Sequence, residues 1–188
     1  MFGEEFIHQQ YLDDVNICDE IINYFENSPN KYKGMVRGGA INKNAKDSTD
    51  CFLKTDDIES KNYITQLQKV VDSYIEKFPR CNFSDPWTIT QHIQIQKYEP
   101  GQAYHNWHAE RCSAITHNST RHLVFMTYLN DVTDGGGTEF YHQKFTTKAR
   151  KGLTLIWPAD WTFTHRGEVS MTQTKYIVTG WFNYYQPK

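Results

Sequence analysis

A chain of 188 residues is long enough for one domain with a buried core and too short for two comfortable ones. Its formal net charge of −2 and sequence pI near 6.4 give no basic field to draw in a phosphate backbone, so nucleic acid is not an expected partner. No apolar run approaches the ~20 residues that cross a bilayer, and no basic segment followed by an apolar run opens the chain, so a membrane is not expected either.

The aromatic share, 15%, favours β-sheet packing around an aromatic-walled cleft. Cys18, Cys51, Cys81 and Cys112 are widely spaced without a C-x-x-C pair, which reads as free thiols in a cytoplasmic protein.

Phe6 to Leu12 can open as a short strand, and Asp13 or Asp14 can cap a helix whose apolar residues Ile17, Cys18, Ile21, Ile22 and Phe25 recur at three and four. Ser28-Pro29-Asn30 ends it. Lys31 to Thr55 is rich in Gly, Asn, Lys and Asp and carries almost nothing to bury from Asn42 to Asp50. It reads as a long loop, either a mobile surface connection or a lid over a binding site. Ile64, Leu67, Val71, Tyr74, Ile75 and Phe78 form the stripe of a second helix, which Pro79 stops.

From Trp87 the period changes to two. Trp87, Ile89, Ile93 and Ile95 share one face; Thr88, Thr90, His92, Gln94, Gln96 and Tyr98 share the other, the polar inner wall of a small barrel. Further strands are expected over Arg121 to Asn130, Thr138 to Tyr141, Gly152 to Trp157, Trp161 to His165 and Lys175 to Tyr184, with Gly135-Gly136-Gly137 as a turn. The chain is therefore expected to be mainly β, with N-terminal helices buttressing a sandwich or barrel from outside. It reads as a single domain over 1–188, with a helical part over about 1–80 and a β core over about 87–185.

The chemistry-bearing stretch is Tyr98 to Glu110, YEPGQAYHNWHAE, with His165 far downstream. On a strand, His108 and Glu110 at i and i+2 point the same way, and a third ligand must come from elsewhere. Two imidazoles and one carboxylate leave open positions, which suits non-heme Fe(II) and O2. A bare His-X-Glu is more often a solvated surface pair. His105 lies at odd spacing from His108 and would face away; His92, His117, His122 and His142 lack the i+2 carboxylate; Cys112 reads as a buried inert thiol.

The ordered set Y-E-P-G-Q-A-Y, H-A-E, R-H-L-V-F-M-T-Y-L-N-D-V, G-G-G-T-E-F, W-P-A-D-W-T-F-T-H-R-G and T-K-Y-I-V-T-G-W-F, from Tyr98 to Phe182, resembles the Fe(II)- and 2-oxoglutarate-dependent oxygenases of the prolyl 4-hydroxylase-like branch. The resemblance implies a double-stranded β-helix, or jelly roll, with His108, Glu110 and His165 as iron ligands. It implies Lys175, ten positions after His165, as the partner of the distal carboxylate of 2-oxoglutarate, with Tyr128, Tyr98 and Thr179 around the cosubstrate. Trp181 and Arg121 would belong to the substrate pocket.

The implied cofactors are Fe(II), 2-oxoglutarate and O2, with ascorbate supportive, and the implied reaction hydroxylates a prolyl residue of a peptide or protein with release of succinate and CO2. Two alternatives stand beside it: the same chemistry on another amino acid, a small molecule or a nucleobase, and a non-catalytic jelly-roll metal-binding module. Glu110 stands where the family usually has Asp, and its spacing from the Y-x-x-G segment is one residue longer. The added methylene leaves open a shifted iron, two-oxygen binding or weaker binding.

Overall fold

Two periodicities, two for strands and 3.6 for helices, sort the side chains of this chain into layers. The computed structural model describes residues 5–54, 56–112, 114 and 116–185, with backbone alone at 37, 116 and 117, so Thr55 and the His117 side chain lie outside the described parts. The elements are β1 His8–Tyr11, α1 Asn16–Asn27, β2 Tyr32–Lys33, β3 Thr49–Leu53, α2 Ile58–Lys77, β4 Trp87–Ile89 and β5 Ile93–Tyr98. They continue with β6 Arg121–Tyr128, β7 Thr138–Phe140, β8 Phe145–Thr146, β9 Leu153–Pro158, β10 His165–Gly167 and β11 Lys175–Tyr184.

The large sheet runs β1-β9-β6-β11-β5-β3-β2, with β4 also pairing β11, and the small sheet runs β10-β7-β8; every pairing is antiparallel. This is the jelly roll, a large and a small sheet facing each other. Alternation along the central strands decides what each face does. Leu123 and Phe125 of β6, Val178 and Phe182 of β11, and Ile93 and Ile95 of β5 point outward into one apolar cluster with the helices. Val124, Met126 and Tyr128, then Ile177 and Trp181, and Tyr98, point inward into a second cluster between the sheets.

The helices cover the outer face. Ile17, Cys18, Ile21 and Phe25 of α1 and Tyr63, Leu67, Val70, Val71 and Tyr74 of α2 are buried, which matches the two stripes. No helix among the described residues is long and apolar enough to cross a membrane. The N-cap of α1 is Val15 rather than Asp13 or Asp14; Asp14, one residue before the N-cap, instead accepts the N–H of Asn16, the first helical residue, at 3.0 Å.

Three strand expectations need correction. The strand expected from Trp87 is split at 90–92 into β4 and β5, both of which pair β11. The strand expected over Trp161 to His165 is a 3-10 turn at Trp161–Phe163 that leads into β10. Lys31 to Thr55 is not a structureless loop: β3 pairs β5 over five residues, and β2 pairs β3. Asn42 to Asp50 also buries more than its composition suggests. Lys46 and Asp50 are 4% and 1% exposed, the ammonium lies 2.6 Å from the carboxylate, and Ser48 Oγ donates to Asp50 Oδ1 at 2.7 Å. Paired charges satisfy each other inside the sheet mouth, so polarity here does not signal solvent.

That pair yields a stability test. Asp50→Ala leaves a buried ammonium without its partner and should cost ~3–5 kcal/mol by urea denaturation, whereas Lys46→Met/Asp50→Leu, which removes both charges, should cost less than the single change. An Asp50→Ala variant as stable as the parent would show that the pair does not hold this segment.

Candidate active site

The inward faces of β5, β6 and β11 and the small sheet enclose a cavity of about 390 Å³. Its mouth carries Met35, 43% exposed, with Gly38 and Gly39; its floor carries Tyr128 and Lys175, 0% and 5% exposed. The segment read as a loop therefore supplies one lip of the cavity.

His108, Glu110 and His165 converge on its wall, with ligand atoms within 4.8 Å of one another. The backbones of His108 and His165 pair as a single bridge, with N–H to carbonyl distances of 3.0 and 2.9 Å, and Glu110 follows in a bend. The i, i+2 convergence expected of a strand is thus achieved by one bridge and a bend. His108 Nδ1 lies 3.0 Å from the Asn106 carbonyl and His165 Nδ1 lies 2.9 Å from the Phe163 carbonyl. A carbonyl only accepts, so both Nδ1 atoms carry the proton and both Nε2 atoms present lone pairs. Those Nε2 atoms stand 3.5 and 3.6 Å from Glu110 Oε1. Three acceptor atoms this close together could hold a cation between them, and two imidazoles plus one carboxylate suit Fe(II).

The other oxygen, Glu110 Oε2, is occupied by protein donors. Arg121 Nη1 and Trp181 Nε1 each donate to it at 2.9 Å, and the Arg121 guanidinium lies 3.5 Å from the Trp181 ring centre. Of the three outcomes left open by the Asp-to-Glu change, this geometry offers a metal one oxygen, Oε1. Burial alone would raise the Glu110 carboxyl, but its contacts with the His108 and His165 rings and the charge of Arg121 hold it well below the usual carboxylate range. Burial, followed by the neighbouring His165, lowers His108 and favours the neutral imidazole that a metal needs. Tyr104 stacks on His108 at 3.6 Å and 9° and fixes the ring plane.

Lys175 opens β11 with its side chain on the cavity floor. Its Nζ donates to the Gly136 carbonyl at 3.0 Å and the Glu168 carbonyl at 3.4 Å, and lies 4.9 Å from the Tyr98 ring centre. Gly135 and Gly136 have φ of +118° and +76°, which lets the turn before β7 bring that carbonyl in. No ion pair to Lys175 forms among the described residues, and burial pushes its ammonium down to about 8. A buried cation held by carbonyl dipoles and a ring, without an ion pair among the described residues, fits an incoming carboxylate.

The remaining residues singled out from the sequence divide by what they touch. Tyr128 faces the cavity, but its hydroxyl is shared with Thr138 and Thr147 at 2.8 and 2.6 Å. Tyr98 donates to Gln96 at 2.7 Å, and Thr179 donates to the Phe125 carbonyl at 3.0 Å. Arg121 and Trp181 line the cavity and also grip Glu110. His105 stays out of the metal group, through irregular backbone rather than strand alternation. Cys112 is exposed at the cavity wall, not buried as expected. Tyr104, Lys46 and Arg166 also line the cavity, and no spacing in the sequence announced them.

Residues 93–183 match the 2OG-Fe(II) oxygenase superfamily. The sequence has no match among curated proteins. Among solved structures, a viral collagen prolyl hydroxylase from Paramecium Bursaria Chlorella virus-1, in complex with 2OG, is similar with a TM-score of 0.70 at 19% identity, over 96% of this chain and 97% of that one. A Trichoplax adhaerens prolyl hydroxylase in complex with a hypoxia inducible factor oxygen degradation domain peptide fragment has a TM-score of 0.75 at 16% identity, over 95% and 84%. A Pseudomonas putida prolyl-4-hydroxylase has a TM-score of 0.69 at 13% identity, over 96% and 94%. The matched segment, just under half of the chain, runs from the first residue of β5 almost to the end of β11 and contains the whole His-Glu-His group; this match to the 2OG-Fe(II) oxygenase superfamily supports a 2-oxoglutarate-dependent dioxygenase, and the chain has the fold of the prolyl hydroxylases.

Proposed function

We propose that the protein hydroxylates prolyl residues in a peptide or protein while converting 2-oxoglutarate to succinate and CO2. The observation that carries this reading is a single cavity with a cationic floor at Lys175, a metal group on its wall and a mouth open at Met35, Gly38 and Gly39. Fold likeness to prolyl hydroxylases over nearly the whole chain supports it. Four free cysteines fit a cytoplasmic setting.

Each residue then has a task. His108, His165 and Glu110 Oε1 hold Fe(II), which when bound supplies oxygen activation coupled to decarboxylation of the 2-oxo acid. Arg121 and Trp181 keep Glu110 aimed through Oε2. Lys175 would pair with the distal carboxylate of 2-oxoglutarate, and Tyr128 closes the floor. Tyr104 and Trp181 offer aromatic faces that suit a proline ring, and a proline-bearing chain is already extended, so it loses less entropy on binding.

His108→Ala and His165→Ala should each lower bound Fe(II) by at least about tenfold, measured as metal per chain, with loss of turnover. Either variant with a full complement of iron would remove that histidine from the site.

For Lys175 the sign of the pH dependence follows from its lowered value near 8. Without a ligand, folding favours the neutral amine, so stability rises as pH climbs from about 8 toward the ordinary lysine range. A bound carboxylate favours the charged form, so 2-oxoglutarate affinity should weaken as pH rises through about 8. Lys175→Arg should flatten that profile, and Lys175→Ala should weaken 2-oxoglutarate binding by about thirtyfold or more while iron stays bound. Unchanged cosubstrate affinity in Lys175→Ala would place the carboxylate elsewhere.

Substrate class is tested by incubating the enzyme with Fe(II), 2-oxoglutarate and ascorbate and a library of proline-containing peptides, reading addition of one oxygen by mass spectrometry. Oxygen on proline is the expected result. Oxygen on another residue, or succinate release stimulated only by nucleosides or small metabolites, would move the substrate while leaving the oxygenase chemistry in place.

A further inference from the structure

The antiparallel pairing of β10 with β7 sets His165 opposite Phe140 and Arg166 opposite Glu139. By alternation the first pair faces inward, where both side chains are buried, and the second faces outward, with Arg166 Nε donating to Glu139 at 2.8 Å. On that outer face a row of rings runs away from the cavity. The Arg166 guanidinium lies 4.4 Å from the centre of Trp107, the residue before His108. Trp107 meets Tyr141 edge-on at 5.1 Å, Tyr141 meets His142 at 5.1 Å, and His142 meets Trp161 at 5.6 Å.

None of these four rings belongs to either buried cluster among the described residues, and Tyr141 and Trp161 are 47% and 65% exposed. A contiguous row of half-bare aromatics on a small protein marks an interaction surface. The row is also held in place. The Tyr141 N–H donates to the Thr164 carbonyl at 2.8 Å, the Gln143 side chain donates to the Thr162 carbonyl at 3.0 Å, and the Thr164 hydroxyl donates to the Trp161 carbonyl at 2.6 Å. The β7–β8 hairpin tip and the 3-10 turn before β10 are thus tied together, and rigid aromatic faces bind at low entropy cost.

We propose that Trp107, Tyr141, His142 and Trp161 form a docking track for the extended, proline-bearing stretch of polypeptide that flanks the residue being hydroxylated. This rests on the peptide-hydroxylation reading above. The occupant follows from continuity: Arg166 borders the reaction cavity while its guanidinium reaches outward to Trp107, so a chain whose target residue reaches the metal group and leaves over this rim passes directly onto Trp107. Rings that meet edge-on at 5.1 to 5.6 Å are in contact and together make a ridged aromatic surface, which suits the preformed polyproline II conformation, with its repeat of ~9 Å. Charge adds a preference. The Lys144 ammonium lies 4.3 Å from the Tyr141 ring centre and forms no ion pair among the described residues, which favours acidic side chains on the docked chain.

The test is fluorescence polarisation with the full chain and three dye-labelled decamers: alternating proline and glutamate, all proline, and alternating glycine and serine. The proline-glutamate decamer should bind tightest and the glycine-serine decamer weakest. Tyr141→Ala and Trp161→Ala should each weaken the proline-glutamate decamer by roughly five- to tenfold, the loss of one well-placed aromatic contact, with Trp161→Phe close to the parent. Both alanine variants should keep unstimulated 2-oxoglutarate decarboxylation at the parental rate, since neither ring lines the cavity; this shows that they are folded.

Binding of the proline-glutamate decamer unchanged in both variants, or the glycine-serine decamer bound as tightly as the two proline decamers, overturns the track. So does loss of binding to phosphatidylserine vesicles with peptide binding intact, which would make the strip a membrane-facing patch. If the decamers bind as expected but no proline in any peptide gains oxygen, the hydroxylation reading fails and the track stands.

Discussion

The division of labour on Glu110 is the constraint around which the site is assembled. One oxygen is gripped by Arg121 and Trp181, and the other faces two imidazole nitrogens. The grip draws on three separate parts of the fold: Arg121 is the first residue of β6, Trp181 sits in β11, and the histidines are joined by the bridge between the 104–110 stretch and β10. Glutamate reaches one methylene further than the aspartate usual in the family, and that reach would leave its carboxylate with more ways to turn. The Arg121–Trp181 pair removes that freedom, because a carboxylate oxygen with two buried donors is costly to pull away from them.

The cavity sorts chemistry along its length by placing different kinds of charge at different depths. Lys175 on the floor is a cation met by two carbonyls and the Tyr98 ring but by no ion pair among the described residues, while the wall presents three lone-pair-bearing atoms with no proton among them. A ligand with a carboxylate at one end and metal-seeking oxygens at the other would relieve both deficits at once. Neither deficit could persist on an exposed surface, where water would answer it, so burial gives the floor and wall their selectivity.

How far this was legible from sequence follows from which residues speak through period and which through contact. The α2 stripe, the inward and outward faces of β6 and β11, and the apolar back and polar front of β5 all follow from side-chain alternation, and all appear in the structure. The His-Glu pair was visible because its two members are neighbours in sequence. β3 was not legible: its buried faces include Asp50 and the segment before it buries Lys46, so a polar stretch that should mean solvent means an internal ion pair. Tyr104 was missed because stacking on His108 leaves no trace in spacing, and the 3-10 turn at Trp161–Phe163 was missed because its aromatic residues imitate a strand.

The helical layer also shapes the site, although it contributes no residue to the cavity lining. Tyr63 of α2 places its hydroxyl 2.9 Å from Thr127 Oγ1 of β6, which lies 2.7 Å from Thr154 Oγ1 of β9, a chain of hydroxyls buried behind the sheet. Slippage of α2 by one turn would leave those groups unpaired in an apolar setting, so the network fixes helix against sheet more tightly than the surrounding aliphatic contacts can. Thr127 stands between Met126 and Tyr128, both of which line the cavity. A helix whose sequence shows only an amphipathic stripe is thereby anchored to the strand that carries Met126 and Tyr128.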